Sequence, residues 1–96
     1  MKIIIIQSAG MHDGKRTKYC KNDYMRECLS LKYAFEENNW EADVWGLRHS
    51  NFNNPPDFNS YDYLLNLENY EMNWLPDFSK ITNPIKMQWI IDLHCQ

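Results

Sequence analysis

Residues 2–10 read Lys-Ile-Ile-Ile-Ile-Gln-Ser-Ala-Gly (KIIIIQSAG), and the rest of the chain has to house that run. Four consecutive β-branched side chains, Ile3, Ile4, Ile5 and Ile6, alternate between the two faces of a strand and leave neither face for water. A strand of this kind belongs inside a parallel sheet covered on both sides. Ser8, Ala9 and Gly10 are small and let the backbone turn sharply at the strand's carboxyl end. Residues 11–21 are polar and read as a loop.

Moving outward, residues 22–38 predict the clearest helix. Asn22 or Asp23 supplies an N-cap, and Tyr24, Cys28, Leu31 and Phe35 recur at helical spacing, widened by Met25 and Leu29. Asn38-Asn39 offers a left-handed stop. Residues 40–47 (WEADVWGL) alternate as a second strand ending at Gly46. Residues 48–60, with Pro55-Pro56, form a loop, and residues 61–67 (YDYLLNL) a third strand. Residues 68–74 are a further loop, residues 75–81 one or two helical turns, and residues 85–93 (IKMQWIIDL) a fourth, apolar strand. No internal repeat or low-complexity segment stands out.

This succession predicts an α/β fold, a Rossmann-like open parallel sheet of about four strands in a three-layer arrangement left incomplete. The expected order is 3-2-1-4, with the switch point between the first and fourth strands. The whole chain, 1–96, reads as a single domain, because 96 residues leave no room for two cores.

Composition narrows the function. The net charge of −3 gives no basic field for a nucleic-acid backbone. No apolar run approaches the roughly 20 residues of a membrane span, and no signal peptide is evident, so a cytoplasmic setting is expected. The 3 cysteines, Cys20, Cys28 and Cys95, are odd in number and lack metal-ligand spacing; they read as buried free thiols. No metal site and no cofactor are expected.

Three familiar motifs fail. Residues 9–15 (AGMHDGK) have the spacing of a phosphate loop, but Arg16 stands where the magnesium-binding hydroxyl belongs. The three-glycine dinucleotide fingerprint is absent, and Gln7-Ser8 stands where a phosphoacceptor domain would carry acidic residues. What remains gathers at the carboxyl ends of the strands. Asp92 and His94, two apart, share one side of a persisting strand and pair a carboxylate with an imidazole suited to deprotonating a hydroxyl. Ser8, Gly10, His49 and Glu68 belong to the same edge. Arg26 follows the helix cap and can point into the crevice or stand solvated on the helix. His12 reads as a solvated loop residue. Among Trp40, Trp45, Trp74 and Trp89 the ordinary role is core packing; Trp74, in a loop at the mouth, is the best candidate to stack on a sugar.

The segments KIIIIQSAG, NDYMRECLSLKYAFEENNWEADVWGLRH, YDYLLNLENY and IKMQWIIDLHC resemble the N-terminal domain of GT-B glycosyltransferases. The closest flavour is the group with spore-maturation-type (CgeB-like) and family-four-like N-domains. Arg26, Ser30, Leu31 and Ala34 match the family's helix pattern, Val44-Trp45-Gly46 its second strand, and Trp89 with Asp92 a later strand ending in Asp. Asn39 replaces the usual Gly. The resemblance implies the acceptor side of an enzyme that transfers a sugar from a nucleotide sugar without an obligatory metal in the site. It also implies a continuation, including a C-terminal domain that carries most nucleotide-sugar contacts, so the chain alone is expected to be inactive. The alternative is a stand-alone, non-catalytic α/β binding module. Because no helix follows the fourth strand, a homo-oligomer through an exposed sheet face is a further expectation.

Overall fold

A computed structural model of the chain describes residues 1–9, 27–67 and 72–89. Four strands, β1 (Lys2–Ile6), β2 (Glu41–Trp45), β3 (Tyr63–Leu67) and β4 (Ile85–Trp89), form one sheet in which every neighbouring pair is parallel. The helix α1 (Glu27–Glu37) joins β1 to β2, and short 3-10 turns at Phe58–Ser60 and Phe78–Lys80 precede β3 and β4. The α/β parallel sheet expected from the isoleucine run is present. Ile3, Ile4, Ile5 and Ile6 are each 0% exposed, as an interior strand requires.

The strand order is β2-β1-β3-β4, which corrects the expected 3-2-1-4. β2 flanks β1 as anticipated, but β3, not β4, lies on its other side. The faces explain why. α1 packs with Ile3, Ile5, Ala42 and Val44, whereas Phe52 and Phe58, from the segment joining β2 to β3, pack with Ile4 and Ile6 on the opposite face. Crossovers between parallel strands are right-handed. Changing faces therefore reverses the direction of travel, and β3 falls beyond β1. Trp74, Leu75 and Phe78, between β3 and β4, cover that same second face, so β4 continues outward to the edge. The switch point moves accordingly to the gap between β1 and β3.

The helix stops as its sequence demands. Asn39 takes φ 65, and the amides of Asn39 and Trp40 reach back to the carbonyls of Glu36 (3.1 Å) and Phe35 (3.0 Å). These are the two bonds of a Schellman motif. The hydrophobic contact that accompanies it is Trp40 against Phe35, ring centroids 4.9 Å apart. The proposed cap at Asn22 or Asp23 lies outside the described residues. Cys28 is a buried thiol on the apolar face of α1; Cys20 and Cys95 are outside the described residues.

A short sequence repeat acquires its meaning in the structure. Pro56-Asp57-Phe58 and Pro76-Asp77-Phe78 each build a 3-10 turn capped by the aspartate, whose side chain accepts the amide two residues on at 3.1 Å. Hydrogen bonds from the Ser79 hydroxyl and then the Ser79 amide hold the Asp77 carboxyl below the ordinary carboxylate range. Phe58 and Phe78 both pack under the second face. Asn59 ties the turns together: its Oδ1 accepts the amides of Thr82 (2.8 Å) and Asn83 (2.9 Å), and its Nδ2 donates to the Lys80 carbonyl (3.3 Å). Asn59→Ala is expected to cost about 1–2 kcal/mol, read by urea unfolding. An unchanged midpoint would mean that water replaces these bonds without loss.

β4 carries the thinnest cover. Ile85, Met87 and Trp89 lie in register with Tyr63, Leu65 and Leu67, on the α1 side, yet α1 packs against β2 and β1. Their exposures are 60%, 39% and 46%. The apolar face expected at the fourth strand is thus exposed as far as Trp89; Ile90 and Ile91 lie outside the described residues.

Candidate functional site

The carboxyl ends of the strands converge on one edge, and Gln7 organises it. Its side chain is buried: Oε1 accepts the Cys28 amide (3.0 Å) and Nε2 donates to Glu27 Oε1 (3.2 Å). The end of β1 is thereby fixed to α1. Its amide donates to the Trp45 carbonyl (3.2 Å), prolonging the ladder with β2 by one residue. Two residues on, the Ala9 amide donates to the Leu47 carbonyl (2.8 Å). β1 and β2 are therefore closed against each other well past their ends.

Gly46 makes that closure possible. A Cβ at this position would sit 2.3 Å from the Gln7 carbonyl oxygen and 2.7 Å from its carbon. The chain then turns through Arg48, φ 70. This brings His49 back over β1, where Nε2 meets the Gln7 carbonyl at 2.8 Å. A carbonyl only accepts, so Nε2 carries the proton in that bond. At the end of β3, Asn66 is buried and its Nδ2 donates to Gln88 Oε1 on β4 at 2.7 Å.

Of the residues singled out in the sequence, Ser8 and His49 stand at this edge beside the end of β1, with Ser8 half-buried. Trp74 lies on the face opposite α1, half-buried, with its ring 5.7 Å from that of Trp45 and 6.0 Å from that of Phe52. Gly10, Arg26, Glu68, Asp92 and His94 lie outside the described residues, as do His12 and nearly all of the 9–15 segment. The order of the sheet does alter one expectation. β4 does not adjoin β1, so their ends stand two strand spacings, about 10 Å, apart.

Sequence reasoning missed the Tyr61–Asp43 pair. Glu41 and Asp43 alternate with apolar residues and read only as a solvent face. Tyr61, buried just before β3, donates its hydroxyl to Asp43 Oδ2 at 2.7 Å. Burial first, then the hydrogen bond to Asp43 and the nearby carboxylates of Asp43, Asp57 and Glu41, raise its pKa above the ordinary tyrosine value of 10.0. The unfolded chain ionises first, so this contribution to stability is intact below about pH 10 and is lost as pH rises further. The melting temperature should fall above pH 10, and Tyr61→Phe should flatten part of that fall. Identical alkaline profiles for the two proteins would refute the assignment.

Among the described residues no group of three or more His, Cys, Asp or Glu could hold a metal ion, and no helix is long and apolar enough to cross a membrane. Comparison with protein-family models, with curated proteins and with solved structures finds no match to this chain.

Proposed function

We propose that the chain is the acceptor-side, N-terminal part of a glycosyltransferase, which holds a sugar acceptor at the carboxyl edge of its sheet. The observation that carries the reading is the edge itself: four parallel strands end together, with the switch point between β1 and β3. Ligands of open α/β sheets gather at such points. Ser8 and His49 supply a hydroxyl and an imidazole beside the end of β1. The segments that resemble the GT-B N-domain fall on β1, α1, β2, β3 and β4 in chain order, which supports the reading. Asp92 and His94 follow β4 in the chain and are proposed as the base pair of the complete enzyme. The donor, a nucleotide sugar, would be held chiefly by a further domain.

Titration of the isotope-labelled chain with a panel of sugars, followed by amide chemical shifts, tests this. Saturable shifts are expected at Ser8, His49 and Asn66 with free sugars, and weak or no shifts with nucleotide sugars. Tight nucleotide-sugar binding to this chain alone would contradict the division of labour. No sugar response at the edge would leave the second reading, a non-catalytic binding module. The exposed face of Ile85, Met87 and Trp89 favours that reading's need for a partner. In either case this face is proposed as the surface on which the chain associates, with itself or with the remainder of a larger domain.

A further inference from the structure

A concavity lies beside β2 and meets the carboxyl edge at His49. It is an open cleft of about 400 Å³ between α1, β2 and the segment after β2. That volume lies within the range of small-molecule sites. Its lining is mixed. Lys32 comes from α1, Asp43 and Val44 from β2, and Ser50, Asn54 and Pro56 from the following segment, with Tyr61 beside them.

The polar groups are of two kinds. Some are fixed by the protein: the buried Tyr61 hydroxyl holds Asp43 Oδ2 at 2.7 Å, and Asn51 Nδ2 donates to the Val44 carbonyl at 3.0 Å, which secures the wall. Others make no hydrogen bond among the described residues: Asp43 Oδ1, the Ser50 hydroxyl and the Asn54 side-chain amide. A carboxylate oriented through one oxygen and open at the other is pre-organised to accept from a ligand hydroxyl. The Asn54 amide both donates and accepts, and so does the Ser50 hydroxyl.

Charge decides the class. Lys32 is engaged by Glu36 at 2.7 Å, so Asp43 is the charge left facing the cleft. An anion would meet Asp43 uncompensated. A neutral molecule rich in hydroxyls escapes that penalty and can donate to the carboxylate. Val44 and Pro56 add apolar surface, which suits the C–H face of a sugar ring better than it suits a fully polar solute.

We infer that this cleft beside β2 binds a neutral, polyhydroxylated small molecule of pyranose type, gripped by Asp43, Ser50 and Asn54. The inference is independent of the sugar-transfer reading, because a stand-alone module would possess the same cleft.

Amide shifts of the labelled chain, titrated with methyl pyranosides, glycine and inorganic phosphate, provide the test. Saturable shifts at Asp43, Ser50 and Asn54 are expected with at least one pyranoside and not with glycine or phosphate. Asp43→Ala should weaken binding about tenfold, through loss of a charged acceptor. Asn54→Ala, at an exposed position that leaves the fold intact, should weaken it about fivefold. Equal response to glycine or phosphate would overturn the class. Unchanged affinity in Asn54→Ala, or pyranoside shifts confined to Ser8 and Asn66, would overturn the site. His49 borders both places, but Ser8 and Asn66 report the carboxyl edge alone and Asp43 and Asn54 the cleft alone, so the two proposals can fail separately.

Discussion

Replacing Gly46 with alanine is expected to destabilise the chain by about 3 kcal/mol or more, the scale of severe backbone strain and overpacking. The added methyl would lie 2.3 Å from the Gln7 carbonyl oxygen. The obstacle is backbone, not the yielding end of a side chain, so relief requires β1 and β2 to part at their carboxyl ends. Three interactions would suffer with them: Gln7 to Trp45, Ala9 to Leu47, and His49 Nε2 to Gln7. Guanidinium or urea unfolding measures the loss. Amide shifts of any folded remainder should move most at Gln7 to Ala9 and His49. A variant as stable as the parent would show that the two strands do not approach this closely. The position that the sequence marks only as a strand end would then have no special demand for glycine.

The second large effect belongs to Trp45. It is buried, and it touches Phe52, Phe58 and Trp74 with ring centroids at 5.3, 5.3 and 5.7 Å. These rings replace the helix that would ordinarily cover this face between β2 and β3. Trp45→Ala should cost about 3–5 kcal/mol and loosen the whole segment after β2. Its indole N–H, like that of Trp74, is buried with no hydrogen-bond partner among the described residues, which subtracts from what the aromatic packing contributes. Trp45→Phe should therefore recover much of the loss, because it keeps a ring and removes the orphaned donor. If Trp45→Ala cost less than about 1 kcal/mol, the aromatic segment would not be a structural layer.

The sheet was legible because its signals are local. Ile3 to Ile6 has no solvent face, Asn38-Asn39 has the residues of a helix stop, and each strand is bounded by polar or turn-forming residues. The order of the strands was not legible, because it depends on which face each connection covers. Residues 48–60 show no helical stripe, and Phe52 and Phe58 are too sparse to announce that they pack with Trp45 over Ile4 and Ile6. The repeated Pro-Asp-Phe is plain in the sequence; its meaning, a capped turn leading into each of the last two strands, depends on tertiary contacts. At the site, the edge position of Ser8 and His49 followed from where strands end. The Tyr61–Asp43 bond did not follow, since it joins residues 18 apart across the sheet.

The placement of the site at the β1–β3 gap rests on the strand order, which nuclear Overhauser contacts between strands test most directly. The order β2-β1-β3-β4 predicts cross-strand contacts of Ile4 and Ile5 with Leu64 and Leu65, and of Leu65 with Met87. It predicts none between the backbones of β1 and β4. Backbone contacts from Ile4 or Ile5 directly to Lys86 or Met87, with β3 displaced from β1, would contradict the account and return the switch point to β1 and β4.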